Sequence, residues 1–434
     1  MSGGGDARRP SGRGPERPSA GPEGAAGRSG LSRRQLLGAG AAGAGALYAR
    51  QATPALALGR AHTASWQPAQ GVVPCYGEHQ AGVTTPVQRH LQLSAFDVIA
   101  RDHGSLAELL RSWQHAIELL TAGRPLSQSE PLASPPTDTG EAAGQGPARL
   151  TITIGFGASL FDGRFRLQAQ RPAALIDLPA FSTDKLDPSR SNGDISVQAC
   201  ADQPLVAEHA IRDLARIAGG AASLRWLQSG FDDPPSFPQG TGRNLLGFKD
   251  GTANLDPNDD ARMRRNVWVQ PADGPRWMQA GTYQVYRRVA LHIEKWDESV
   301  LDEQQDTFGR YKSSGAPYGA SSEFAPVVTQ LLPADSHVRL ANPRTGQASE
   351  DERILRRGYS FTDGYDTTTG AYDYGLAFIA YQRDPRRQFL TIQQRLAEHD
   401  ALNEYVEHTA TGVFAIPPGT RPGGFPGEQL LRAR

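Results

Sequence analysis

Apolar and polar residues alternate with period two along Leu150-Thr151-Ile152-Thr153-Ile154-Gly155-Phe156, the clearest half-buried strand pattern in the chain. Earlier the period lengthens. Leu106, Leu109, Leu110, Trp113, Ile117 and Leu120 share one helical face, opened by a Ser105-x-x-Glu108 capping box and ended by Gly123. Further strands are expected at 90–98, 194–199 and 223–229, and a helix at 205–218 behind Pro204. The order βαβ-βαβ predicts helices on one side of an antiparallel sheet, an α+β ferredoxin-like unit. Residues 125–146, polar and rich in Pro and Gly, read as a surface insertion.

The second half repeats this plan with longer loops. A strand is expected at 283–293 with Val289, Leu291 and Ile293 on one face, then a helix at 299–308, paired strands at 355–361 and 374–381, and a long helix at 389–407. The expected fold is therefore two ferredoxin-like domains, residues 58–235 and 236–434, joined in the Gly/Pro-rich stretch 231–242. The duplication rests on element order, without a residue-level repeat. From Pro417 onward the chain reads as a loose surface arm.

Residues 1–30 carry too few apolar side chains to offset the entropy of ordering. Behind them come Ser32-Arg33-Arg34-Gln35-Leu36-Leu37, a Gly/Ala-diluted apolar run to Tyr48, and Pro54-Ala55-Leu56-Ala57. A basic start, a weak apolar middle and an A-x-A exit form a twin-arginine export signal, cleaved after Ala57. Residues 1–57 are thus an address, and the membrane is met only through this transient segment. The expected destination is extracellular, cell-envelope or periplasmic, and cargo of this route travels folded, often with a cofactor already loaded.

Lys+Arg 45 against Asp+Glu 46 leave a net charge of −1, so no global field attracts nucleic acid. The two cysteines, Cys75 and Cys200, cannot by themselves build a four-thiolate zinc site or an iron–sulfur cluster, and no C-x-x-C-H exists for covalent haem. They could pair after export, but folding in a reducing compartment argues against dependence on a disulfide.

Three segments carry candidate chemistry. Gly247-Phe248-Lys249-Asp250-Gly251-Thr252-Ala253-Asn254 sets a lone acid between glycines that permit close backbone approach. His337-Val338-Arg339-Leu340-Ala341-Asn342-Pro343-Arg344 gathers an imidazole and two guanidiniums. Leu355-Arg356-Arg357-Gly358-Tyr359-Ser360 starts a strand whose adjacent arginines point to opposite faces, one into a core and one to solvent, and Leu376-Ala377-Phe378-Ile379 follows as an apolar strand. On these residues alone, an Asp-Gly turn and an ordinary satisfied histidine remain open readings.

In this order the three segments resemble the dye-decolorizing peroxidases, in their exported deferrochelatase/peroxidase (EfeB-type) branch. Gly247-Phe248-Lys249-Asp250-Gly251 is similar to the family's G-x-x-D-G motif, residues 336–344 to its proximal-histidine segment, and residues 356–360 to its distal-arginine segment. The similarity takes in Tyr76-Gly77-Glu78-His79-Gln80-Ala81-Gly82, Leu178-Pro179-Ala180-Phe181 and Asp187-Pro188, and spans residues 70–416. It implies one non-covalent haem b held in the second ferredoxin-like domain. His337 would be the axial iron ligand, Asp250 the distal acid and Arg356 the distal arginine. Gly251, Thr252, Ala253, Asn342, Pro343 and Arg344 would border the haem, with arginine as a propionate partner, and Leu376 and Phe378 would form its apolar distal wall.

Hydrogen peroxide must lose a proton from one oxygen and gain one on the other before its O–O bond splits. A carboxylate can shuttle that proton, and a fixed cation can stabilise the departing hydroxide. The resemblance further implies phenolic or dye-like electron donors, removal of iron from haem with the tetrapyrrole intact, an iron-uptake permease as partner, and a homo-oligomer. Trp268, Trp277, Tyr359 and Tyr374 are candidate electron carriers by proximity to the motifs, although most such aromatics belong to cores. A haem carrier without turnover is the alternative; it needs His337 and an apolar pocket but has no use for Asp250 and Arg356.

Overall fold

In the computed structural model, which describes residues 71–129, 131–232, 240–367 and 370–432, the first strand, β1 (His90–Val98), leads into helix α1 (His103–Thr121). The export signal lies outside the described residues. Asp102, not Ser105, is the cap: its carboxylate accepts from the Ser105 backbone N–H (2.9 Å) and from the Ser105 hydroxyl (2.7 Å). The helix therefore begins two residues before the expected serine. Its apolar face, from Leu106 to Leu120, is buried, and the Trp113 indole N–H donates to the Leu214 carbonyl at 2.8 Å.

The first half continues with β2 (Thr151–Gly157), β3 (Ile195–Ala201), α2 (Pro204–Ile217) and β4 (Ala222–Phe231). The second contains α3 (Asp260–Asn266), β5 (Thr282–Leu291), α4 (Ile293–Glu298), α5 (Leu301–Phe308), α6 (His337–Ala341), α7 (Gln347–Asp351), β6 (Leu355–Arg356), β7 (Tyr359–Asp366), β8 (Ala371–Gln382), α8 (Phe389–His399), β9 (Val406–Ile416) and α9 (Glu428–Arg432). Antiparallel pairings order the first four strands β2-β3-β1-β4 and the later ones β9-β5-β8-β7, the same ferredoxin-like arrangement twice.

The two sheets do not stay separate. β2 pairs with β9 at Phe156 and Gly157, and β4 pairs with β7 at Phe231. Because β5 pairs with both β9 and β8, the order closes on itself, with β6 beside β7 on one edge of β8. Closure removes the exposed sheet edges. It also corrects the half-buried reading of β2, all seven of whose residues are buried. Thr151 and Thr153 belong to a polar interior, where the Gln284 amide donates to Gln198 (3.1 Å) and to the Tyr381 hydroxyl (3.0 Å). Arg357 enters the same interior, only 3% exposed, and donates to Gln88 and to the Thr85 carbonyl.

The expected long helix over 389–407 ends at His399, and the chain from Val406 forms β9, which lies between β5 and β2 at the seam of the two sheets. The expected loose arm after Pro417 is packed down. Gln80 accepts from the Ile154 N–H (2.8 Å) and donates to the Pro417 carbonyl (3.0 Å), Gly77 N–H donates to the Thr420 carbonyl (2.9 Å), and Phe425, Leu430 and Leu431 are buried. The Tyr76–Gly82 stretch thus clasps the tail from the other side. Its His79 ring stacks on Trp268 with centroids 3.6 Å apart. Both cysteines are free thiols, Cys200 buried in the fold.

Candidate active site

The outer face of the second sheet and helices α5, α6 and α8 enclose a cavity. Alternation along β8 sends Ala377 and Ile379 into the core and leaves Leu376 and Phe378 to wall the cavity, opposite Phe308, Ile392 and Leu396. Asp250, Gly251, Thr252, Ala253, His337, Asn342, Arg344 and Arg356 all border it. Pro343 is not among the lining residues, and neither are Trp268, Trp277, Tyr359 or Tyr374. Tyr359 lies 1% exposed in the core, and Trp277 donates to the Gln170 carbonyl at 3.0 Å.

Of the two adjacent arginines, Arg357 enters the interior and Arg356, the candidate distal arginine, borders the cavity. Its Nη1 donates to Asp250 Oδ1 at 2.8 Å. Asn254, which the sequence reading left without a role, fixes the arginine backbone from both sides: its amide donates to the Arg356 carbonyl (2.7 Å), and its oxygen accepts from the Arg356 N–H (2.9 Å). The acid's own loop depends on glycine, since Gly247 and Gly251 hold φ of 83° and 95°. Glu323 braces that loop, accepting from the Thr252 hydroxyl at 2.8 Å while Lys249 stands 3.7 Å away. Burial pushes the Glu323 carboxyl up, but hydrogen bonds from Thr241 and Thr252 and the Lys249 charge bring it net below the usual carboxylate range.

His337 opens α6 behind the buried Ser336, whose hydroxyl donates to the Pro333 carbonyl at 2.8 Å. The ring's Nδ1 lies 2.6 Å from Asp400 Oδ2, and a carboxylate can only accept, so Nδ1 carries the hydrogen and Nε2 keeps its lone pair for the cavity. Asp400 is 3% exposed at its side chain, and its second oxygen accepts from the Leu402 N–H at 2.9 Å. Burial works against protonation of His337, yet the Asp400 charge prevails and raises the imidazole above its ordinary value. Asp400 was hidden inside the overlong helix expectation, and no local signal links it to a histidine 63 positions away.

The rim is cationic. Arg344, at a left-handed φ of 59°, donates through Nη1 only to the Val338 (3.1 Å) and Asn342 (2.6 Å) carbonyls, and burial with Arg310 and Arg353 nearby holds its pKa down at about 10. A half-buried guanidinium in like-charged company, with no ion-pair partner among the described residues, suits an anionic ligand. Apolar walls, one imidazole nitrogen held ready and Arg344 without an ion-pair partner among the described residues fit a flat, dianionic, metal-bearing macrocycle.

These features define a haem-dependent peroxidase, and comparison with known proteins gives the family. The descriptions Dyp-type peroxidase, N-terminal, and Dyp-type peroxidase, C-terminal, match residues 80–232 and 241–421. The chain belongs to the Dyp-type peroxidases, and its cofactor is haem b. It is similar to the Deferrochelatase of Shigella sonnei, 40% identical over 92% of this chain and 97% of that protein. Among solved structures it is similar to a DyP-type peroxidase from Streptomyces coelicolor (39% identity, TM-score 0.77, 84% of this chain and 98% of that one). Ferric DtpA from Streptomyces lividans matches at 37% identity and TM-score 0.78, covering 85% and 99%.

Proposed function

We propose that this Dyp-type peroxidase binds haem b through His337 Nε2 and reduces hydrogen peroxide at the Asp250–Arg356 pair, oxidising phenolic or dye-like donors. The observation that carries this reading is the convergence on one cavity of two polar pairs, His337–Asp400 at 2.6 Å and Arg356–Asp250 at 2.8 Å. Bound haem would supply the iron at which peroxide is reduced and would hold the two oxidising equivalents taken from peroxide until donors return two electrons. Asp400 orients His337 and keeps its coordinating nitrogen basic. Asp250 accepts the peroxide proton and returns it to the leaving oxygen, while Arg356, fixed by Asn254, stabilises the charge on that oxygen. Arg344 would hold a carboxylate edge of the macrocycle, Gly251 to Ala253 and Asn342 would border it, Pro343 would fix the backbone between Asn342 and Arg344, and Leu376 and Phe378 would keep water out. A carrier without turnover would have no use for an ion pair maintained inside the cavity.

Resemblance to proteins named Deferrochelatase supports a second reaction at the same site, iron release with the tetrapyrrole intact. The order of residues 32–57 supports export through the twin-arginine pathway to the cell envelope or beyond; an iron-uptake permease as partner and a homo-oligomer as assembly are inferred from the family resemblance alone. The division between halves is placed at 235–236, in the stretch between the two family matches. Asp250→Asn and Arg356→Leu should each keep haem and lower the peroxide reaction rate by about 100-fold. Stopped-flow spectra of the haem-loaded variants test this, and wild-type rates in both would remove the catalytic assignment.

A further inference from the structure

Away from the haem cavity, on the outer side of the first half, the 125–146 insertion folds against α2 and brings a second set of donor atoms together. His209 and Asp213 stand one helical turn apart on the same face. Asp138 of the insertion faces them. His209 Nε2 lies 3.3 Å from Asp213 Oδ2 and 3.5 Å from Asp138 Oδ1. The three donor atoms lie within 4.8 Å of one another.

Two features separate this from a solvated acidic cluster. Asp213 is 0% exposed at its side chain, and its Oδ2 has no hydrogen-bond donor among the described residues although it points at the histidine ring. Buried carboxylate oxygens are ordinarily satisfied, so this atom calls for a partner. The spacing also matters. A charge-assisted N–H···O bond closes to about 2.7–2.9 Å, whereas ligand atoms about 2.0–2.1 Å from a tetrahedral ion stand about 3.4 Å apart. The contacts of 3.3 and 3.5 Å match the second spacing.

The rest of the ring is arranged to suit. His209 Nδ1 lies 2.9 Å from Glu141 Oε2 and 3.1 Å from the Thr139 hydroxyl. A carboxylate at Nδ1 places the hydrogen there and turns the Nε2 lone pair toward Asp138 and Asp213, the arrangement found behind metal-bound histidines. Arg212 anchors Glu141 in turn. Asp138 is held by its own loop, accepting from the Leu126 (2.9 Å) and Gly140 (2.8 Å) backbone N–H groups, and Thr139 N–H donates to Asp213 Oδ1 at 3.1 Å.

We propose that His209, Asp213 and Asp138 bind a divalent first-row transition ion, zinc by the spacing of the imidazole nitrogen from the two carboxylate oxygens, which clamps the 125–146 insertion onto α2. One nitrogen and two carboxylate oxygens suit such an ion better than magnesium or calcium, which prefer all-oxygen shells. Water fills the fourth position. None of the three residues lines the haem cavity, so the site is separate from the peroxidase chemistry.

The test uses the full-length, haem-loaded protein, stripped with a chelator and titrated with Zn²⁺ against a chromogenic competitor. The wild type should take up one zinc per chain with sub-micromolar to micromolar affinity, and zinc should protect the insertion from proteolysis. Asp138→Asn, on the loop side, and His209→Gln should each weaken zinc binding by at least about tenfold, the loss already typical of an outer-shell change, with an unaltered haem absorption band. A stripped wild type that takes up no stoichiometric zinc, leaving a proton-held clamp only, would overturn the proposal. So would zinc affinity unchanged in both variants.

Discussion

Replacing Asp400 with Asn changes one charge and almost no volume, and it isolates the partner of His337, the histidine proposed to bind iron. Asn keeps a single acceptor oxygen, so with that oxygen on His337 Nδ1 the ring orientation survives, while the bond from the Leu402 N–H, which uses the other carboxylate oxygen, is given up. What disappears is a carboxylate 2.6 Å from the ring and 3% exposed, hence poorly screened by water. A hydrogen bond to a charged group is worth about 1.5–3 kcal/mol against about 0.5–1.5 for a neutral one. The difference, about 1–2 kcal/mol, corresponds to an affinity change of roughly 5- to 30-fold, within reach of the 10- to 100-fold losses seen when outer-shell partners of metal ligands are removed. Haem titration of the stripped protein should show that loss, and the haem reduction potential should rise as the ligand becomes less electron-rich. Wild-type haem affinity together with a wild-type potential in Asp400→Asn would refute the idea that this carboxylate tunes the ligand.

His408 is buried beside Arg287, and burial followed by that charge holds its pKa down at about 3. A folded-state pKa below the unfolded value of about 6.5 means the unfolded chain takes the proton first, so stability is full above that value and is lost as pH falls toward 3. By pH 4.5 this one group should cost about 3 kcal/mol. Urea unfolding of His408→Asn against pH should have a shallower acid limb; parallel slopes would contradict the assignment. Leu430 in the tail helix is 1% exposed, so Leu430→Ala should cost about 2–5 kcal/mol in the same assay. A negligible loss would mean that the tail is not part of the core.

Local pattern made much of the first half readable. Leu106 to Leu120 repeats at helical spacing over several turns, and Pro204 can only start a helix, so α1 and α2 were legible with their buried faces. The misplaced cap shows the limit of such reading: Asp102 and Ser105 both favour N-caps, and only the backbone decides between them. β9 was missed because Glu407-His408-Thr409-Ala410-Thr411-Gly412 offers neither alternation nor apolar bulk, and its place between β5 and β2 rests on non-local pairing. Closure of two sheets into one ring is likewise a long-range property, as is the clasp between Gln80 and Pro417.

At the site, Asp250, His337 and Arg356 were found through motifs, whereas Asp400 and the bracing role of Asn254 and Glu323 required coordinates. Each of these acts across a turn, a loop or a helix end, where sequence distance carries no signal. The His209 cluster was invisible for the same reason, one ligand sitting in an insertion that composition marks only as loop.

Ligation of haem iron by His337 is tested most directly by the optical and electron paramagnetic resonance spectra of the haem-loaded protein beside those of His337→Ala. Loss of the nitrogen-ligand signature, a shifted Soret band and weakened haem retention are expected in the variant. Identical spectra and haem retention in the two proteins would contradict the assignment and, with it, the placing of peroxide at Asp250 and Arg356.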